Sequence, residues 1–235
     1  MRMLMTILYD IRFQWRHGFY FVYLLVCTIY LILLHSIPVH YKETAALLLT
    51  FSDPSALGLI LAGGIVLLEK DQGIHDSLFV TPIRLREYLI AKSISLSIIS
   101  VLSAWVIHIF ALGMPSSPFL FTFAVMLTSS FFTLLSIGVV VRSQSINGFI
   151  LLSQLYALPF ALPLLDFFDI GPRFMYLIFP TEGSLLLLKS MLQQIAVGEA
   201  IYGVIILSIG NAVVFFWAQY SFNQNILLNM GSGEG

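Results

Sequence analysis

Long apolar stretches separated by short polar segments recur along the whole chain. A helix needs about 20 mostly apolar residues to cross the hydrocarbon core of a bilayer, and six stretches are long enough to do so. They cover residues 19–37, 45–68, 93–112, 119–141, 146–165 and 201–220. This pattern predicts an all-α integral membrane protein with six transmembrane helices.

The second of these spans is interrupted by Asp53 and Pro54. One interpretation starts the transmembrane helix at Pro54, with Asp53 as its N-cap at the outer interface. The alternative gives Asp53 a role in substrate contact or in an outer gate, because an aspartate at bilayer depth costs about 2.5–3.5 kcal/mol and marks a functional site by default. The two interpretations differ in whether Asp53 ends a helix or lies along a transport pathway.

Positive charges are unevenly distributed between the two sides of the membrane that six spans define. Eight lie on the side of the N-terminus and three on the other side, and the two sets are Arg2, Arg12, Arg16, Lys70, Arg84, Arg86, Lys92 and Arg142 against Lys42, Arg173 and Lys189. The positive-inside rule then places both termini and the 69–92 loop in the cytoplasm. With no cleavable signal peptide, the pattern indicates a multi-pass protein of a bacterial or archaeal plasma membrane.

The first 16 residues have the periodicity of an amphipathic helix. One face collects Met1, Leu4, Ile7, Leu8, Ile11 and Trp15, and the other collects Arg2, Thr6, Asp10, Arg12 and Arg16. We expect this helix to lie in the inner interface, where its cations meet the anionic headgroups of membrane lipids. The pattern fits an anchor for the first span and a functional elbow equally well.

The composition agrees with a membrane protein and excludes several other classes. The chain is 59% hydrophobic and 10% charged, with a mean hydropathy of +0.95, whereas soluble domains average about 45–50% apolar and about 25% charged residues. A net charge of −1 argues against a nucleic-acid partner, and a single cysteine, Cys27, excludes a disulfide scaffold.

The sequence lacks the usual signatures of catalysis and of cofactor binding. At Lys92-Ser93, the two glycines that a phosphate-binding loop needs at positions 86 and 91 are replaced by Arg86 and Ala91. The five histidines are scattered and form no metal-binding pair. His108 is the last of them, so a serine in the later spans has no downstream histidine to activate it. We therefore expect no catalytic residue, no bound cofactor and no metal in this chain.

The loop at 69–92 carries the most informative local pattern. Gly73 permits a sharp bend after the second span. Leu78 and Phe79 then present apolar side chains as on a short amphipathic helix, which Pro82 ends because the residue before a proline leaves helical geometry. A short rigid helix with an exposed apolar side chain is typical of a docking surface for a cytoplasmic partner. The alternative is an amphipathic connector that lies on the headgroups.

Two further segments are candidates for a substrate pathway and its gate. The fifth span contains four polar residues that could line a pathway, although hydrogen bonding between helices explains each of them alone. These residues are Asn147, Ser153, Gln154 and Tyr156. The segment 166–199 contains a mostly apolar helix over 184–195 that is too short to span. We expect it to form a re-entrant outer hairpin between spans five and six.

The order of these parts resembles the permease subunit of ABC-2-type exporters. That order is an interfacial N-terminal helix, six spans, an E-K-x-x-G…L-F-x-T-P…E-Y-L-x-x-K loop after the second span, and a long outer segment before the sixth. The loop is similar to the family's E-[KR]-x-x-G-…-T-P-…-K signature, and the resemblance covers essentially residues 1–225. The short length and the S-D-P before the second span resemble the small permeases of that family that are named for fluoroquinolone export.

The resemblance implies one transmembrane permease domain over 1–230, followed by a linker-like segment at 231–235. It implies a cytoplasmic coupling helix between spans two and three that sits in a groove of a separate ABC ATPase subunit, present in two copies, which binds ATP and Mg. The coupling residues are then Glu69, Gly73, Leu78, Phe79 and Pro82. A second permease copy or a sister permease completes the pathway, which spans two and five line and for which Asp53, Asn147, Ser153, Gln154 and Tyr156 are candidates.

By this resemblance the chain is the transmembrane subunit of an ATP-driven exporter that moves an amphipathic drug, lipid or lipid-linked molecule outward. The chain itself is then not an enzyme, since hydrolysis occurs on the partner. The alternatives are an ion-coupled secondary transporter and a membrane assembly factor or receptor that transports nothing. The spans lack the ladder of acids and bases typical of proton-coupled carriers, which favours the exporter.

Overall fold

The computed structural model describes residues 2–74, 83–168 and 170–227. Within these ranges the chain forms helices and no strand, so the all-α prediction is confirmed. The helices are α1 (Arg2–Arg16), α2 (Phe19–Ser36), α3 (Val39–Ser52), α4 (Gly58–Asp71), α5 (Leu85–Ala111), α6 (Pro118–Val140), α7 (Ile146–Ala161), α8 (Pro180–Leu188) and α9 (Val197–Phe222). The predicted coupling helix, with Leu78, Phe79 and Pro82, lies outside the described residues.

Six segments are long and apolar enough to cross a membrane, as the hydrophobic pattern predicts. They are Phe19–Ser36, Val39–Asp71, Leu85–Ala111, Pro118–Val140, Ile146–Asp166 and Val197–Ile226. The first, fourth and fifth segments agree with the predicted limits to within a residue. The second, third and sixth begin earlier than predicted, and the second and sixth also end later, because a helix continues into polar residues past the hydrocarbon boundary. The protein is a membrane protein. We call the end of the bundle that carries α1 the α1 end, and the opposite end the hairpin end.

The second span does not begin at Pro54, so the prediction of an N-cap at Asp53 was wrong. A single helical segment runs over Val39–Asp71, and Asp53–Leu57 is a π-helical turn within it. Pro54 has no N–H to donate, but the wider turn pairs the N–H of Gly58 with the carbonyl of Asp53. The Ser55 hydroxyl donates to the Phe51 carbonyl at 2.7 Å. The chain therefore passes the proline without ending the helix.

Helix α6 forms the centre of the bundle. Its most apolar window is 78% buried within the protein, against 17% for α2, 17% for the fifth span and 22% for the last span. Two glycines allow close packing between helices, because a Cβ on Gly63 of α4 would overlap the ring of Phe149 on α7, and one on Gly138 of α6 would overlap Trp217 on α9. The outer helices turn apolar side chains such as Phe21, Leu151 and Phe216 outward, as lipid-facing helices do.

Helix α1 is amphipathic in sequence, but its polar face is not entirely directed to water. Thr6, Asp10 and Gln14 are buried, whereas Leu4 and Trp15 are 63% and 71% exposed. The polar stripe of α1 packs against α5, where Lys92 and Ser95 supply partners for it. Asp10 and Thr6 were expected on a face in contact with headgroups, but both are buried. Arg12 and Arg16 of that face are exposed.

At the hairpin end, α8 begins at Pro180 and ends at Leu188, earlier than the predicted 184–195. Residues 181–188 of α8 are all buried. A Cβ on Gly183 would overlap Ile206 of α9, so α8 packs directly against α9. The turn after α8 is held by the α5–α6 loop, since the amides of Ser116 and Ser117 donate to the carbonyls of Met191 and Ser190 at 3.1 and 3.0 Å. This short helix therefore lies inside the protein.

Candidate functional site

A buried ion cluster joins three helices at the α1 end. The Lys92 Nζ of α5 donates to Asp10 Oδ1 of α1 at 2.7 Å and also to Glu69 Oε1 of α4. The Tyr88 hydroxyl donates to Glu69 Oε2 at 2.7 Å. Each of these four residues is at most 2% exposed. We call Asp10, Glu69, Tyr88 and Lys92 the ion cluster.

Charge is not balanced within the ion cluster, since two carboxyl groups share one ammonium. Burial raises the pKa of the Asp10 carboxyl from 3.8 to about 6; the Lys92 charge opposes this shift and the Glu69 charge adds to it. The rings of Phe13 and Tyr88 lie 5.8 and 5.5 Å from Lys92 Nζ and favour the cation. The lysine thus holds the cluster together, and burial makes the Asp10 carboxyl easier to protonate than a carboxyl group in water.

The ion cluster was not predicted from the sequence, which assigned Lys92 to a cytoplasmic loop and Asp10 to a headgroup-facing surface. The only signal was a match in spacing. Asp10 and Gln14 are separated by one helical turn on α1, and Lys92 and Ser95 by about one turn on α5. In the structure Gln14 Nε2 donates to Ser95 Oγ at 3.0 Å, one turn from the Lys92–Asp10 bond. Two polar pairs, each spaced by about one helical turn, thus face each other.

Of the predicted coupling residues, the structure describes Glu69 and Gly73. Glu69 is 1% exposed and bonded within the ion cluster, so it fixes the end of α4 to α5 and is covered by protein. Gly73 adopts a φ of +63°, and its N–H donates to the Lys70 carbonyl at 3.1 Å. This left-handed conformation, which glycine adopts without strain, ends the helix. The chain then enters the 75–82 segment, which lies outside the described residues.

The predicted pathway residues of the fifth span do not share one surface. Ser153 is buried and donates to the Ile150 carbonyl at 2.9 Å, and Asn147 is exposed in the first turn of α7. The Tyr156 hydroxyl accepts from Arg142 Nη1 at 3.2 Å. Gln154 lines a cleft.

That cleft lies between the second and fifth spans, beside the π-helical turn, and has a volume of about 140 Å³. Its walls are apolar except for Ser55 and Gln154, and they comprise Phe51, Ser55, Ala56, Leu59, Phe132, Gln154, Ala157, Phe160, Ala161 and Leu164. Ala56 and Gln154 are exposed, so the cleft opens to the outside of this chain. Because drug-sized ligands occupy pockets of about 300–1,000 Å³, a second surface is needed to enclose one here.

Asp53 belongs to the same turn but faces the opposite way. Its side chain is fully buried and lies near Tyr23, Cys27 and Tyr30 of α2 and Ser103 of α5. It is not among the residues that line the cleft. The two pathway candidates closest to the turn, Asp53 and Gln154, are therefore on different sides of the second span.

Six spans, an internal short helix at one end and a cleft between two spans define a polytopic helical membrane protein. The sequence matches the fluoroquinolones export permease protein family over residues 1–230, and the chain belongs to this family. It is similar to two fluoroquinolones export permease proteins from two strains of Mycobacterium tuberculosis. To each it is 25% identical over 169 residues, which are 72% of this chain and 71% of the relative. The resemblance to small permeases named for fluoroquinolone export, inferred from the chain length and the S-D-P before the second span, is thus confirmed.

Proposed function

We propose that this permease is the membrane-spanning subunit of an ATP-driven exporter and that a separate ABC ATPase, in two copies, binds and hydrolyses ATP with Mg. The α1 end faces the cytoplasm in this proposal, as the positive-inside rule indicates. The observation that carries it is the ion cluster. The cluster ties α1, the last turns of α4 and the start of α5 together, and α4 and α5 are the two helices that flank the 75–82 segment.

A force applied to that segment by an ATPase is then transmitted to three helices at once. Glu69 lies in the last turn of α4, and Lys92 lies two turns into α5. Because both side chains are buried and joined, the two helix ends move as one body with α1. Gly63 extends this coupling to the fifth span, since its missing Cβ lets the Phe149 ring of α7 lie directly on α4.

The π-helical turn supplies a natural point of bending between α3 and α4. Helices bend where the regular backbone hydrogen bonding is interrupted, at prolines and at π bulges, and both occur at Asp53–Leu57. Ser55 and Ala56 of this turn line the cleft. Movement of α4 relative to α3 therefore changes the cleft between the second and fifth spans.

We propose that the cleft, completed by a second copy or a sister permease, carries the substrate outward. Its apolar wall with one amide and one hydroxyl suits an amphipathic drug, lipid or lipid-linked molecule. The two relatives are named for fluoroquinolone export, so a fluoroquinolone is the first substrate to test. A second candidate function is ion-coupled transport, which the fully buried Asp53 in the membrane favours.

The first experiment asks whether an ATPase binds. The tagged permease is recovered from its native membrane, and we expect a P-loop ATPase to co-purify. Phe79→Ala should lower this recovery by a factor near 30, since truncating a buried interface aromatic commonly costs about 2 kcal/mol. Asp71→Asn is the matched control at an exposed position of the same loop and should behave as the parent, because exposed charges contribute little.

The ATPase activity of the recovered complex provides a second readout. We expect hydrolysis that the permease and its substrate stimulate, and no hydrolysis by the purified permease alone. If Phe79→Ala matches the parent in recovery and in stimulated hydrolysis, the loop is a passive connector. If the permease alone hydrolyses ATP, the assignment of hydrolysis to a separate ATPase is wrong.

A further inference from the structure

Asp53 is a fully buried carboxyl group in the second span, and neither of its oxygens has a hydrogen-bond partner among the described residues. The Ser103 hydroxyl of α5 is close enough to the carboxyl group to interact with it, but it forms its well-aligned hydrogen bond with Cys27 Sγ, at 3.1 Å. One turn earlier on α3, the Thr50 hydroxyl is also buried without a partner. The polar capacity of this site is therefore largely unused in the conformation described.

The site lies deep in the membrane. On α2 it is level with Cys27 and Tyr30, since Cys27 contacts Ser103 and the Tyr30 hydroxyl is 3.0 Å from Ser52 Oγ, and both residues lie near the middle of Phe19–Ser36. On α5, Ser103 lies 11 residues beyond Lys92 of the ion cluster, which is about 16 Å along a helix. Water at either surface is thus far from the carboxyl group.

No counter-ion faces Asp53 within the described part of the chain. The titratable groups around it are Tyr23, Cys27 and Tyr30, all on α2. On α5, His108 has its ring nitrogens 2.8 and 3.2 Å from the carbonyls of Gly113 and Met191, and the nearest lysine, Lys92, already binds two carboxyl groups. Helix α6, which also packs against the π-helical turn, has no titratable residue.

An ionised carboxylate without a counter-ion is very unfavourable in a low-dielectric interior, and such groups take up a proton instead. We propose that Asp53 is a proton-binding site of the permease, protonated in the conformation described and ionised when the π-helical turn opens to water. Because the site is closed, a proton alone is enough to neutralise the carboxylate. The link to an export cycle rests on the function proposed above, whereas the proton on Asp53 does not.

The position of Asp53 couples its proton to the shape of the second span. An ionised Asp53 requires water or new hydrogen bonds, which the turn can admit only if α2 or α5 separates from it. Ser55 and Ala56, on the other side of the same turn, line the cleft. Loss of the proton would therefore alter the cleft, and closure of the turn would take the proton up again.

Infrared spectroscopy tests the proton directly. The purified full-length permease is reconstituted in phosphatidylcholine vesicles, and the C=O stretch of protonated carboxyl groups is recorded between acid and neutral pH. At neutral pH we expect a protonated-carboxyl band that is lost in Asp53→Asn, shifted in Asp53→Glu and unchanged in Asp71→Asn. Asp10→Asn removes the contribution of the ion cluster. Carbon-13 labelling of aspartate in the unsubstituted protein identifies an aspartate band even if a variant fails to fold.

The inference is overturned if Asp53 is ionised at neutral pH. In that case Asp53→Asn leaves the spectrum unchanged and the aspartate-labelled band is absent. Transport distinguishes this failure from failure of the proposed function. If export is ATP-driven, Asp53→Asn should retain ATPase recovery and lose the pH dependence of export. If no ATP-driven export occurs but the Asp53 band is present, the proposed function fails and the proton site stands.

Discussion

Glu69 and Asp53 are two buried acids on the same span, 16 residues apart, and their surroundings differ in every respect. Glu69 has the Lys92 ammonium on one oxygen and the Tyr88 hydroxyl on the other. Asp53 has no ion partner in the described part of the protein and no hydrogen bond to either oxygen. Glu69 holds helices together through its partners. Asp53 has no such partners, so we expect the conformation of its part of the span to change when Asp53 gains or loses a proton.

The largest expected effect comes from removing the cation of the ion cluster. Lys92→Met leaves two buried carboxyl groups without their counter-ion, and breaking a buried pair in this way costs about 3–5 kcal/mol. We expect a large drop in the midpoint of thermal unfolding in detergent micelles, with α1 released to proteolysis.

The control replaces all three charges together, as Lys92→Met with Asp10→Asn and Glu69→Gln. Replacing a whole buried ion group by neutral residues is often tolerated, so this variant should recover most of the lost stability. If Lys92→Met is as stable as the parent, the ion cluster does not hold α1, α4 and α5 together.

The two kinds of site also differ in how far the sequence revealed them. The six spans could be predicted because hydrophobicity is a local property of the chain. The ion cluster could not, because Lys92 and Asp10 are 82 residues apart and only the packing of α1 on α5 brings them together. Asp53 was recognised as unusual, but Pro54 was interpreted as a helix start because the π-helical turn that accommodates it leaves no local signature.

The pathway candidates show the same limit in a different form. Ser153 was chosen as a polar residue of the fifth span, yet its hydroxyl donates within its own helix. Tyr156 lies beside Arg142 and 5.5 Å from the Trp217 ring, in a contact between α7, α9 and the turn after α6. Gln154 lines the cleft. Polarity indicates that a residue in a span has a role, but only the packing separates a hydrogen bond between helices from a lining of a cleft.

The next largest effect concerns the contact through which α4 acts on the fifth span. In Gly63→Ala, the new methyl group overlaps the Phe149 ring, and overpacking of this kind costs about 1–3 kcal/mol. Gly64→Ala is the matched control, since nothing lies within 4 Å of a Cβ there. We expect a lower unfolding midpoint for Gly63→Ala alone. Equal midpoints for the two variants would show that α4 and α7 are not in direct contact.

A further prediction is a pH dependence of stability that belongs to Asp10. The folded protein holds the Asp10 proton up to a pKa of about 6, and the unfolded chain loses it near 3.8. Between these values the folded state binds more protons, so its stability relative to the unfolded state falls as the pH rises from about 4 to about 6. Unfolding of the parent and of Asp10→Asn, measured across that range, should diverge, with the fall present in the parent alone. Parallel curves would mean that Asp10 titrates normally.

Uptake into inside-out membrane vesicles shows whether ATP hydrolysis drives transport by this permease. Vesicles that contain the permease and its co-purified ATPase are incubated in a medium that contains a fluorescent fluoroquinolone. Accumulation of the drug inside the vesicles is followed with ATP, with a non-hydrolysable analogue, and with an ionophore that collapses ion gradients. ATP-driven export predicts accumulation that requires hydrolysable ATP and persists when the gradients are collapsed. Accumulation driven by an ion gradient without ATP would contradict it.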